Sequence, residues 1–132
     1  MPHLTLEYSN NLPAPMDFDA LFARLHETLA RIGPFPLERI KSRAIPHDMF
    51  RIGAGAPESV FVHLTAAILT GRDTEQQHLI AEQLLTVLRE GFARTWDERP
   101  CDITVDIREM PRKTYAKTMN ERARAASPPG AQ

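Results

Sequence analysis

From His3 to Tyr8 the chain alternates without a break: Leu4, Leu6 and Tyr8 share one side, His3, Thr5 and Glu7 the other. A period of two marks a strand with one buried face. Ser9-Asn10-Asn11 interrupts it, and Pro13 and Pro15 prolong the loop. Asp17 is the expected N-cap of a helix in which Phe18, Leu21, Phe22, Leu25, Leu29 and Ile32 recur at helical spacing. Gly33-Pro34 ends it. Leu37 to Ile45 reads as a second strand, with Arg39, Lys41 and Arg43 on one parity and Glu38, Ile40, Ser42 and Ala44 on the other.

The same order then returns. Arg51 to Glu58 reads as a loop marked by Gly53, Gly55 and Pro57. Val60 to Thr70 is a nearly continuous apolar run, the mark of a strand buried on both faces. Gly71-Arg72-Asp73 turns the chain, and Thr74 with Gln77 is the expected capping box of a second helix. Ile80, Leu84, Val87, Leu88 and Phe92 form its apolar stripe, and Ile103, Val105 and Ile107 alternate with Thr104, Asp106 and Arg108 in a fourth strand. The architecture repeats as two β-α-β units although the residues do not. Right-handed crossovers put both helices on one face of a four-stranded sheet, an α+β fold. The other face is left bare, and apolar residues on both parities of the third strand predict that oligomerisation covers it. Lys113 to Met119 is expected to add an edge strand or an arm onto a neighbour. Residues 1–126 form the expected single domain, with Ser127 to Gln132 a disordered tail.

Composition narrows the classes of function. A chain of 132 residues with 42% hydrophobic and 25% charged residues is one ordinary globular domain. A net charge of -1 gives no reason to expect nucleic acid or an anionic membrane as partner, so any anionic ligand needs a local cluster of Arg and Lys. The single Cys101 excludes an internal disulfide and suits a reducing compartment. The amino-terminal segment lacks a signal-peptide pattern, and no run is apolar enough to span a membrane, so the expected location is cytoplasmic.

Pro2 carries the most chemical information. Removal of Met1 would leave a secondary amine at the tip of the first strand, a base whose pKa falls with burial and with nearby cations. An amine poised near working pH can both take and return a proton. Pro2 also suits the first position of a strand with no further role. Arg43 and Arg72 can grip carboxylates as planar forks, and Lys41 as a point charge. Arg72 stands beside a predicted helix start, a setting favourable to anions, and equally suits a surface turn. For Arg39, Lys41 and Arg43 the plain alternative is a solvated strand face. His3, His26, His47, His63 and His78 lack metal-ligand spacing. The Gly53-Ala54-Gly55 loop lacks the rest of a phosphate fingerprint, and no serine nucleophile elbow is present.

The segment Pro2-His3-Leu4-Thr5-Leu6-Glu7-Tyr8-Ser9 resembles the start of the 5-carboxymethyl-2-hydroxymuconate delta-isomerase family, of the tautomerase superfamily. Pro36-Leu37-Glu38-Arg39-Ile40-Lys41-Ser42-Arg43 resembles its segment of two basic residues flanking a serine. Phe61-Val62-His63-Leu64-Thr65, Gly71-Arg72 and Thr114-Tyr115-Ala116-Lys117 fit as well, so the likeness runs from Pro2 to about Asn120. It implies a homotrimer of β-α-β-β-α-β subunits with no metal and no organic cofactor. It further implies that Pro2 shuttles a proton in ketonising a carboxylated dienol, while Lys41, Arg43 and Arg72 bind substrate carboxylates. Lys41 stands where the family often has arginine, and Ala44 to Ala56 matches poorly. Two rivals keep the scaffold. One is a tautomerase or dehalogenase for another small carboxylate, which in the dehalogenase case needs a carboxylate such as Glu7, Asp106 or Glu109 to activate water. The other is a non-catalytic trimeric binding protein.

Overall fold

Strict alternation in the first strand builds the centre of the fold. The computed structural model describes residues 1–126 and places β1 at His3–Ser9, with Leu4 and Leu6 fully buried. The side chain of Asp17 accepts from the Ala20 amide and starts α1, Phe18–Ile32, whose Leu21, Leu25 and Leu29 face the sheet. After β2 (Lys41–His47) and β3 (Val60–Leu69) come α2 (Thr74–Gly91), the short α3 (Ala93–Glu98), β4 (Cys101–Met110) and α4 (Glu121–Ala125). The sheet order is β2-β1-β3-β4, parallel within each outer pair and antiparallel between β1 and β3. The heads of β1 and β2 therefore share one edge of the sheet with the tails of β3 and β4.

One cluster forms the core: Leu4, Leu6 and Tyr8 of β1, alternate residues Val60 to Ile68 of β3, and the apolar stripes of α1 and α2. Burial of each leucine contributes about 1.5–3 kcal/mol. Both helices thus cover the same face, as the crossover rule predicts. The helices approach closely at Gly91, where an added Cβ would sit 2.7 Å from Leu21 Cδ1 and oblige that side chain to shift.

Several expectations need correction. Leu37–Arg39 is a 3-10 turn rather than strand, and the ladder begins only at Lys41. The capping box of α2 is Asp73 with Gln76, one residue before the expected pair. Within one chain β3 is fully buried on one face only: Phe61, His63, Thr65, Ala67 and Leu69 are half-buried on the other. The segment after β4 adds no strand. It makes a 3-10 turn at Arg112–Thr114, runs on to α4, and folds back onto its own chain. The tail expectation for residues 127–132 lies outside the described residues.

Candidate active site

Pairing of β1 with β2 sets the geometry at the amino end. The Lys41 amide donates to the Pro2 carbonyl at 3.1 Å, which draws Pro2 against the start of β2 and buries it. The Met1 amine donates to the carbonyl oxygen of Arg39 at 3.0 Å, and Lys41 Nζ donates to that same oxygen at 3.0 Å. Two amine nitrogens therefore converge on one acceptor. Burial, followed by the charges of Lys41, Lys117 and Arg39, pulls the terminal amine down to about 6. That amine is three covalent bonds from the Pro2 nitrogen.

Beside this end lies a cleft of about 450 Å³, a volume suited to a small organic ligand. His3, Arg39 and Lys41 line one side, and Tyr115, Lys117 and Met119 of the returning tail line the other. Among the described residues, no carboxylate forms an ion pair with Arg39, Lys41 or Lys117. Glu38 is the acid on the cleft wall. Burial, with Arg39 and Lys41 next, lowers the Lys117 pKa.

The other predicted residues fall outside this cleft. Arg43 lies on the open sheet face, where Nη2 donates to His3 Nδ1 at 2.8 Å and Nη1 reaches Thr5 Oγ1 at 3.4 Å. Burial and then Arg43 lower the His3 pKa, which favours the neutral ring able to accept this bond. Ser42 points the opposite way and meets His26 Nε2 of α1 at 2.6 Å, so the two basic residues flanking it face away from the core. Arg72 follows β3 at the same edge of the sheet. Its guanidinium lies 3.8 Å from the Phe35 ring centre and donates to the Gly33 carbonyl at 3.2 and 3.3 Å. The structure thus brings Lys41 to the amino end beside Pro2, connects Arg43 through His3, and leaves Arg72 against the end of α1.

Two cleft residues went unassigned in the sequence. Arg39 belongs to an expected strand parity, but the 3-10 turn sends it inward to 8% exposure. Lys117 falls within the Thr114-Tyr115-Ala116-Lys117 motif, the one available signal for it. Among the described residues, no group of three or more His, Cys, Asp or Glu side chains is placed to hold a metal ion, and no helix is long and apolar enough to cross a membrane.

Comparison with known proteins points the same way. A model of the 5-carboxymethyl-2-hydroxymuconate isomerase family matches residues 2–125. The 5-carboxymethyl-2-hydroxymuconate Delta-isomerase of Escherichia coli is 33% identical over 110 residues, which span 83% of this chain and 87% of that protein. A crystal structure of a 5-carboxymethyl-2-hydroxymuconate isomerase from Deinococcus radiodurans R1 has a TM-score of 0.83 at 33% identity, covering 94% of this chain and 93% of that one. A member of the cis-3-chloroacrylic acid dehalogenase family shares the fold, with a TM-score of 0.67 at 17% identity over 89% of this chain and 81% of that one. Since both the family match and the structural likeness run through nearly all of the folded chain, this protein is an isomerase of the tautomerase superfamily and belongs to the 5-carboxymethyl-2-hydroxymuconate isomerase family.

Proposed function

We propose that the chain, once Met1 is removed, converts 5-carboxymethyl-2-hydroxymuconate or a closely related carboxylated dienol from its enol to its keto form. Pro2 is the acid/base. The observation that carries this reading is the amino end itself, held beside Arg39, Lys41 and Lys117 with its amine pulled down to about 6. The same burial and the same three cations act on a Pro2 amine. A lowered pKa leaves it neutral near neutral pH, ready to accept a proton.

The step balances within the substrate. The Pro2 nitrogen takes the proton of the 2-hydroxyl, and the electron pair left on oxygen forms the carbonyl. The double bonds shift, and the resulting prolinium delivers the proton to carbon 5. Negative charge spreads over the dienolate between these events, and fixed cations beside it lower the barrier. Lys41, Arg43 and Arg72 hold the substrate carboxylates. Lys41 is closest to the amino end, Arg43 adjoins it through His3, and Arg72 stands along the same sheet edge. The chain itself moves the proton and compensates the charge.

The assembled form we propose is a homotrimer, which covers the open face of the sheet. Its small-molecule ligand is an acidic dienol, and neither nucleic acid nor a membrane is a partner. The single free Cys101 fits a reducing, cytoplasmic setting. Glu7 is paired with His47 and Asp106 with Arg108. These pairings weigh against Glu7 and Asp106 as the free carboxylate that the dehalogenase alternative needs, which leaves Glu109, with no ion pair among the described residues, as its one remaining candidate. The direct test is loss of dienol ultraviolet absorbance on addition of processed protein. Absence of turnover with every carboxylated dienol tried would favour a binding role instead.

A further inference from the structure

Arg39 presents a charge with no visible counterpart. It is 92% removed from solvent, judged by its 8% exposure, yet the bond its side chain makes among the described residues runs from Nη1 to the Met119 thioether at 3.2 Å. Sulfur is a weak acceptor. The Nε–H is buried and has no acceptor among the described residues. Buried charged groups are ordinarily paired, because desolvation without compensation is costly. With Nη1 tied to Met119 and Nε sealed from the cleft, Nη2 is the guanidinium nitrogen left to donate to a carboxylate oxygen. Arg39 and Lys117 both line the cleft, close enough for their charges to act on one another.

We propose that Arg39 and Lys117 form a second carboxylate subsite, roofed by the 115–119 segment of the tail, that makes the enzyme select dianionic over monoanionic substrates. The proposal rests on the reading of this cleft as the substrate site and goes beyond it, since neither residue is among the carboxylate holders named above. Lys41 takes one carboxylate next to Pro2, and Arg39 takes another deeper in. Met119 positions the guanidinium by holding Nη1. Lys117 comes from the tail, so the roof contributes charge as well as cover.

Binding of two simple probes tests this without any turnover. Adipate carries two carboxylates and hexanoate one, on chains of equal length. Titration calorimetry of processed protein should show adipate bound at least about tenfold more tightly than hexanoate, the effect of one added charge-assisted contact. Arg39→Met should bring that ratio close to one, Arg39→Lys should restore part of it, and Lys117→Met should reduce it. An unchanged ratio in Arg39→Met overturns the proposal. Lys117 is exposed, so its replacement leaves the fold intact. If Arg39→Met does not fold, an unchanged ratio in Lys117→Met overturns the proposal just as well. The two readings fail separately. Wild type that discriminates between the probes but turns over no dienol removes the role of Pro2 and keeps the subsite. Wild type that turns over dienol, with variants that leave the ratio unmoved, removes the subsite alone.

Discussion

A single oxygen organises the amino end. The Arg39 carbonyl accepts from both the Met1 amine and Lys41 Nζ, and so holds like charges together. Burial disfavours protonation of the terminal amine, and the neighbouring charges of Lys41, Lys117 and Arg39 add to it. In the processed form we propose, Pro2 inherits this environment. Pro2→Ala keeps an amine but replaces the rigid secondary base by a primary one, and we expect kcat/KM to fall by about 10²-fold or more. A steady-state assay on protein whose folding is checked by circular dichroism measures it. A form that keeps Met1 has an amide at Pro2, which is no base, and should be inactive. Intact mass of the active fraction checks this, and an active species still carrying Met1 would contradict it. Residue chemistry was only partly legible in the sequence. Pro2 and Lys41 stand out by type and position. Arg39 does not, because its parity within a supposed strand says nothing once the backbone turns there. What buries it is contact with a tail eighty residues later, a tertiary fact with no local trace.

Elements with a strong period were read with nearly the right bounds. β1, α1, α2 and β4 each display a local pattern that the core then uses, as with Leu21, Leu25 and Leu29 on α1. Errors gathered where local signals compete. Asp73 and Thr74 can both cap α2, and the structure uses Asp73, whose side chain accepts from the Gln76 amide at 2.8 Å while Gln76 Oε1 accepts from the Asp73 amide at 3.1 Å. Asp73→Ala should therefore cost about 0.5–2 kcal/mol. Urea unfolding should show it as a lower midpoint at unchanged slope, and Thr74→Ala should cost less. Equal losses would contradict the assignment of the cap. The six-residue α3 is too short to show a period, and only Phe92 separates it from the end of α2. The tail pattern suggests a strand or arm, but its described residues have no ladder partner. It is held by packing over the cleft, through Met119 on Arg39 and the Asn120 cap of α4.

At the level of the whole molecule, the sheet has one face sealed by two helices and one open. The open face carries Thr5, Thr65 and Ala67 near its centre, with Ile45, Phe61 and the exposed Met49 and Phe50 toward one end. The sequence suggested a more apolar surface, since the pattern of β3 does not reveal which small and polar residues its neighbours contribute. A mixed face of this kind suits association between copies, and we expect sedimentation equilibrium to give three times the chain mass. A stable monomer at assay concentration would contradict the proposed assembly. Folding brings distant segments, residues 1–3, 39–41 and 115–119, to one edge of the sheet, and the proposed chemistry depends on that convergence. Its central claim is a terminal proline amine held neutral by burial and cations. The most direct measurement is an NMR titration of the Pro2 amine in processed, isotope-labelled protein. The account predicts a midpoint below the ordinary α-amino range of about 7.7–8.0. Below that midpoint the amine is protonated and cannot accept, so kcat/KM should fall along the same curve as the pH drops. An amine that titrates in or above the ordinary range, or a kcat/KM indifferent to its protonation, would contradict the account.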